Sequence, residues 1–400
     1  MDRTNTEVFL ALFAAALKKE NLKLTGQIDA AALFRLAQEQ HVLPMILEPV
    51  WQSPSISSDL LAFAQSKSVQ IVIGQAQRTA AFLRLYQSLA EEDLYPIVMK
   101  GIICRSLYPQ PDQRPSGDED LLIEPKDLFA VDQVLRKNGY TCTAENPDAS
   151  LHEITYTSPL LHIELHLSLF AEDSDAYGEL EALFCEAPNH AVTVRIDNTE
   201  IMTLAPTDHF LYLLCHAYKH FLHSGVGIRQ VADMAMFANA YGEEIDWDYI
   251  YTCCKKVKIE TFSAALLKIA HKYLTLSSIP VPFAGIETDE KALLEDIMSG
   301  GIYGKADPAR VHSSNLTLDA VAAHKQGKKS HGIFQSIFPE KKYLQSNYPY
   351  AKEYPVLLPA AWLQRIFQYM KSSNLRKGSP AKSLQIGRSR IELLKKYKII

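Results

Sequence analysis

Asp118 and Asp120 stand two residues apart at the head of an apolar run, within RPSGDEDLLI at 114–123. Side chains of an extended strand alternate faces, so these two carboxylates project together. A pair of oxygens on one face can hold a hard divalent cation such as Mg²⁺ or Mn²⁺. Upstream, Lys100 and Gly101 close the segment YPIVMKG at 95–101. A glycine where a strand turns into a helix lets phosphate oxygens reach backbone N–H groups and a helix N-terminus. Together these features point to metal-dependent chemistry on a nucleoside triphosphate. Downstream, LLHIELHLSL at 160–169 alternates Leu161, Ile163, Leu165 and Leu167 with His162, Glu164, His166 and Ser168. If this strand lies beside Asp120, Glu164 supplies a third carboxylate. It would help place a second metal and activate an attacking hydroxyl, the arrangement of a two-metal in-line displacement.

The elements needed to hold these groups follow from apolar spacing. Residues 1–92 read as helical at 8–18, 29–38, 43–51, 59–66 and 69–90. Residues 95–100 form a strand, GIICRSLY a helix, and DEDLLIE a second strand. A helix at 126–140 and two strands at 152–158 and 160–169 complete a β-α-β-α-β-β unit. The fold class is therefore α/β (α+β), with a small mixed sheet as core at 93–204 and an N-terminal helical region at 1–92. A second helical region at 205–280 has helices at 208–223, with Thr207 or Asp208 as N-cap, 227–241, 246–257 and 260–275, and is expected to face the site. The remainder, 281–400, carries a helix near 288–299, an extended loop at 300–332, helical pieces at 355–371 and a basic amphipathic helix at about 381–398.

Composition is that of an ordinary globular protein: 47% hydrophobic, 22% charged, net charge −5. Nothing in that balance recruits nucleic acid. The charge is uneven, since residues 371–400 hold nine Lys/Arg against Glu392, a net +8 that leaves −13 for the rest. Six scattered cysteines without a CxxC pair predict reduced, mostly buried thiols in a cytoplasmic protein. The apolar stretch VFLALFAAAL at 8–17 has Asp2 and Glu7 against Arg3 before it and Lys18-Lys19-Glu20 after it, which predicts a core helix rather than a signal peptide.

The block KGIICRSLYPQPDQRPSGDEDLLI resembles the uncharacterised nucleotidyltransferase family of the polymerase-beta-like superfamily. Lys100, Gly101, Leu107, Tyr108, Pro109, Arg114, Pro115, Gly117, Asp118, Asp120, Leu121 and Leu122 carry the likeness. Glu164 with His166 matches a second block. His216, Ala217, Lys219 and His220, followed by Arg229 and Asp233, match a third. The late YPYAKEYPVLLPAAWLQRI is similar to that family's C-terminal end, so the resemblance spans most of the chain. It implies transfer of a nucleoside monophosphate from an NTP to a hydroxyl acceptor, with Mg²⁺ or Mn²⁺ and release of pyrophosphate. Asp118, Asp120 and Glu164 would be catalytic and hold metal. Lys100, Gly101, Arg114, Gly117, His166, His216, Lys219 and His220 would bind nucleotide. A sugar or glycan-linked acceptor and a bacterial, cytoplasmic setting go with the resemblance. The chain departs from the superfamily pattern at the phosphate turn, where Ile102 and Ile103 follow Gly101 instead of a small residue.

Two features keep other readings open. His209, His216, His220 and His223 form a stripe spaced 7, 4 and 3 on one helix. It can face the α/β unit and touch ligand, serve structure, or hold zinc through the i,i+4 pair. The basic C-terminal helix can dock on the acidic body of the protein or lie on an anionic membrane. The competing function is a non-catalytic nucleotide-sensing or partner-binding module.

Overall fold

The computed structural model describes residues 3–22, 28–54, 56–144, 148, 151–302, 308–327, 350, 357–361, 364 and 380–400. Its centre is a seven-stranded mixed sheet in the order β3-β4-β5-β2-β1-β7-β6. The strands are β1 (Ile97–Met99), β2 (Asp118–Leu122), β3 (Thr141–Cys142), β4 (Glu153–Thr157), β5 (His162–His166), β6 (Val192–Ile196) and β7 (Thr199–Thr203). β2 runs antiparallel to β1 and parallel to β5. The register sets Asp120 beside Met99 on one side and Glu164 on the other.

The β6–β7 hairpin adds two strands to the expected β-α-β-α-β-β unit, with Val192, Val194 and Ile196 alternating ahead of an Asp197-Asn198 turn. It extends the sheet beyond β1 through a parallel pairing of β7.

Four helices precede the sheet: α1 (Arg3–Lys18), α2 (Ala30–Glu39), α3 (Leu43–Leu47) and α4 (Ser58–Ala90). The apolar residues of 8–17 are core, with Phe9, Leu10, Leu12 and Phe13 buried. The two helices expected at 59–66 and 69–90 are one, since Ser68 at their junction is buried inside a continuous helix. At 33 residues, α4 is about 50 Å long. It buttresses the sheet through Tyr86, whose hydroxyl donates to the Pro96 carbonyl and accepts from the Met202 N–H.

Within the core lie α5 (Gly101–Ser106) and α6 (Leu128–Lys137). After the sheet come α7 (Pro206–His223), α8 (Ile228–Tyr241), α9 (Trp247–Lys256), α10 (Glu260–Tyr273), α11 (Val281–Ala284), α12 (Glu290–Gly300), α13 (Pro308–Lys325) and α14 (Pro380–Lys396). α7 begins two residues earlier than expected, because Pro206 occupies its first turn and Ala205 is the N-cap.

α13 replaces much of the extended loop expected at 300–332. Its buried face is partly polar: Arg310, Ser313 and Thr317 share it with Leu316, Ala320 and Val321. That mixture hid the helical period. The helix expected at 355–371 falls largely outside the described residues.

α14 packs on α13, and Gly387 permits the approach, since a Cβ there would meet Leu316 Cδ1 at 2.5 Å. Leu393 and Leu394 of this helix are buried, as are Tyr397 and Ile399 just after it. Arg390 is buried and donates to the carbonyls of Phe221 and His223 at the end of α7. Lys396 pairs with Asp289 at 2.6 Å. Cys104, Cys215, Cys253 and Cys254 are buried, and all six cysteines are free thiols. Among the described residues, no helix is long and apolar enough to cross a membrane.

Candidate functional site

The site forms where β2 lies between β1 and β5. Asp118 and Asp120 start β2, and Glu164 and His166 end β5; the two-residue alternation puts all four on one face. The ligand atoms of Asp120, Glu164 and His166 lie within 4.8 Å of one another, the one such group among the described residues. His166 Nε2 stands 3.2 Å from Asp120 Oδ1 and 3.9 Å from Glu164 Oε2. His166, expected to bind nucleotide, stands among the acids. Asp118 lies outside this tight group, half-buried at the rim of a neighbouring cavity.

Electrostatics favour a cation here. Burial raises the Asp120 carboxyl, but the Lys100 ammonium and the His166 hydrogen bond outweigh it and hold the group well below the usual carboxylate range. Glu164 goes the other way. Burial, then repulsion from Asp120 and Asp118, pushes it up to about 8 against the pull of Lys100. Two oxygens and one imidazole nitrogen, with mutually repelling acids, are a donor set that fits a divalent metal.

Lys100 follows β1 as the N-cap of α5, with φ +48°, a left-handed conformation uncommon for a non-glycine residue. Its Nζ lies 2.9 Å from Asp120 Oδ1 and 2.8 Å from His216 Nε2. Its backbone N–H donates to His209 Nε2 at 3.1 Å, which requires that nitrogen to be unprotonated. His209 Nδ1 then faces Thr203 Oγ1, whose proton goes to the Val98 carbonyl. Burial holds His209 neutral, with its pKa lowered to about 3. Burial, with Lys100 next, also holds His216 and His220 well below the ordinary range. The two are in contact, Nε2 to Nε2, at 3.0 Å. His223 reaches the Tyr177 hydroxyl instead. The stripe on α7 thus leads to the β1–α5 turn. Lys219 is half-buried beside it, and desolvation lowers its pKa.

Gly101 has φ +26°, and a Cβ there would fall 1.9 Å from Glu119 Oε2. Glu119 points to the other face of β2. Its carboxylate accepts from the Ile102 N–H at 2.7 Å and from Arg105 at 2.8 Å, all three groups buried. The first turn of α5 therefore already has a carboxylate on it. Nothing local in the sequence marks Glu119, since an acid between two site acids looks like one more solvent-facing residue.

Arg114 is not directed at the metal group. It is buried and forked onto Asp233, with Nε and Nη2 at 2.7 and 2.6 Å from the two oxygens, while Tyr108 donates to the same carboxylate at 2.7 Å. Arg229 donates to the Pro115 carbonyl, and Ser116 N–H donates to Gln75 on α4. These contacts fix the 114–118 loop between α4 and α8, and with it the position of Asp118. Gly117 has open space where a side chain would sit.

A cavity of about 690 Å³ opens beside this loop, bounded by α4, Asp118 and Arg229. The helical region at 205–280 is expected to face the site, yet α4 of the N-terminal region forms the main wall of this cavity.

No curated protein and no solved structure matches this chain. Residues 26–275, more than half of its length and inclusive of every site residue above, match the family described as uncharacterised nucleotidyltransferase, and the chain belongs to that family.

Proposed function

We propose that the protein transfers a nucleoside monophosphate from an NTP to a hydroxyl acceptor and releases pyrophosphate. The observation that carries this reading is the register of β2 and β5, which sets Asp120 beside Glu164 with His166 one alternation further on. Asp120, Glu164 and His166 would hold Mg²⁺ or Mn²⁺, with Asp118 at the edge, and the bound cation would neutralise triphosphate charge.

The chain's own groups account for the remaining steps. Glu164, paired with Asp120 in the β2–β5 register, is placed to take the acceptor's proton. The acceptor oxygen bonds to the α-phosphorus as the bond to the pyrophosphate oxygen breaks. Lys100, ordered by His209 and His216, supplies fixed positive charge next to Asp120. The Arg114–Asp233 pair positions the loop that bears Asp118 and does not touch the reacting atoms.

The test is transfer of label from α-³²P-NTPs, with Mg²⁺ or Mn²⁺, to fractionated glycans, small molecules and proteins. Label transferred by wild type and lost in Asp120→Asn is the expected result. Tight metal·NTP binding without transfer to any fraction would replace this reading with that of a nucleotide sensor.

A further inference from the structure

We infer that the cavity beside Asp118 is the acceptor subsite, and that the acceptor is a hydroxyl compound carrying a phosphate group. The inference rests on the transfer reading above and identifies its second substrate.

Three observations converge on this cavity. First, Lys67, Arg78 and Arg229 line it, and Asp118 is the one acid among its described lining residues. Arg229 is 95% buried and held by its donation to the Pro115 carbonyl, which fixes a guanidinium charge at the cavity wall. Guanidinium and ammonium groups together suit a phosphate dianion.

Second, two glycines line the space without a structural need to be glycine. Gly74 lies in the interior of α4, where glycine weakens a helix. A Cβ on it would meet Arg78 Nη1 at an ordinary 3.9 Å, and one on Gly117 would meet nothing within 4 Å. Neither has a left-handed backbone. What both residues leave is room.

Third, β2 has cations on both flanks. Lys100, just after β1, stands on one. Arg78 stands on the other, with its Nε on the Leu160 carbonyl just before β5. In-line displacement requires the entering oxygen and the leaving pyrophosphate to lie on opposite sides of the phosphorus. With pyrophosphate toward Lys100, the acceptor comes from the cavity, past Asp118.

The experiment is calorimetric titration of the full chain with glucose 1-phosphate, inorganic phosphate and glucose, and separately with Mn²⁺·ATP. Wild type is compared with Gly74→Leu, which fills the cavity while favouring the helix, and Arg78→Gln, which removes one charge. Glucose 1-phosphate should bind at least tenfold tighter than glucose. Both variants should lose at least tenfold of that affinity while binding Mn²⁺·ATP within twofold of wild type and melting no lower. Inorganic phosphate binding as well as glucose 1-phosphate would overturn the claim that the cavity takes a whole acceptor. Equal loss of Mn²⁺·ATP in Gly74→Leu would give the cavity to the nucleotide and overturn the proposal. Unchanged binding of glucose 1-phosphate in both variants would do the same. If wild type binds no NTP with any metal, the transfer reading fails and the acceptor assignment with it, even where the phosphate preference persists.

Discussion

Replacing Gly101 by alanine tests why that residue is glycine. The sequence assigns it to phosphate, whereas the structure puts Glu119 where its side chain would be. A methyl group on Gly101 would lie 1.9 Å from Oε2 and 2.8 Å from Cδ of Glu119, against about 3.5–4.0 Å for ordinary contact. Glu119 cannot yield without leaving the Ile102 N–H and Arg105, which are buried with it. Disrupting a buried charge pair costs about 3–5 kcal/mol, and the left-handed backbone adds about 1–2 kcal/mol for an L-residue. Gly101→Ala should therefore lose about 4 kcal/mol or more, a large share of a typical folding free energy. Urea denaturation of wild type, Gly101→Ala, Glu119→Ala and the double variant provides the measurement. In the Glu119→Ala background the methyl has room, so adding Gly101→Ala should cost only the backbone strain of about 1–2 kcal/mol. An equal cost in both backgrounds would refute the steric argument. A Gly101→Ala protein as stable as wild type but weak in NTP binding would return the glycine to the phosphate.

Other outcomes follow from the same geometry. Glu164 is protonated in the metal-free fold up to about pH 8, so metal must displace a proton there; Mn²⁺ affinity should rise as pH increases from 6 to 8 and level off above it, with proton release read from calorimetry in buffers of different ionisation enthalpy. Because its folded pKa lies above its unfolded one, Glu164 costs the metal-free fold stability as pH rises through that window; Glu164→Gln should raise the melting temperature at pH 8.5, change it little at pH 4.5, and abolish metal binding. Asp233→Ala leaves Arg114 buried without its counter-charge and should cost about 3–5 kcal/mol in denaturant titrations. Arg390→Ala frees the Phe221 and His223 carbonyls; it should cost about 1–3 kcal/mol and speed tryptic cleavage within 381–398.

What could be read in advance follows the range of the interaction that decides each feature. The pairing of Asp118 with Asp120, and of Glu164 with His166, needs only the two-residue period of a strand. Helices α7 to α10 show their apolar period in about a turn or two of chain. The partners of the polar residues are a different matter. Arg114 finds Asp233 119 positions later, and its charge alone cannot say whether a carboxylate or a phosphate awaits it. Glu119 belongs to the opposite face from its neighbours, and its role exists only once β1 has paired with β2 and delivered the start of α5 to it. The same holds for α13, where Arg310 satisfies the Ser224 carbonyl and Asp296, and Thr317 donates to Leu222. These residues are buried because distant groups satisfy them, so hydropathy along the chain reads them as loop. The cavity is the extreme case. Its walls come from α4, the 114–118 loop and α8, and its most telling residues, Gly74 and Gly117, are informative through the side chains they lack. A glycine in a sequence suggests a turn; only neighbours at known distances show that neither turn nor packing asks for it, and that the space in front of it is left for something else.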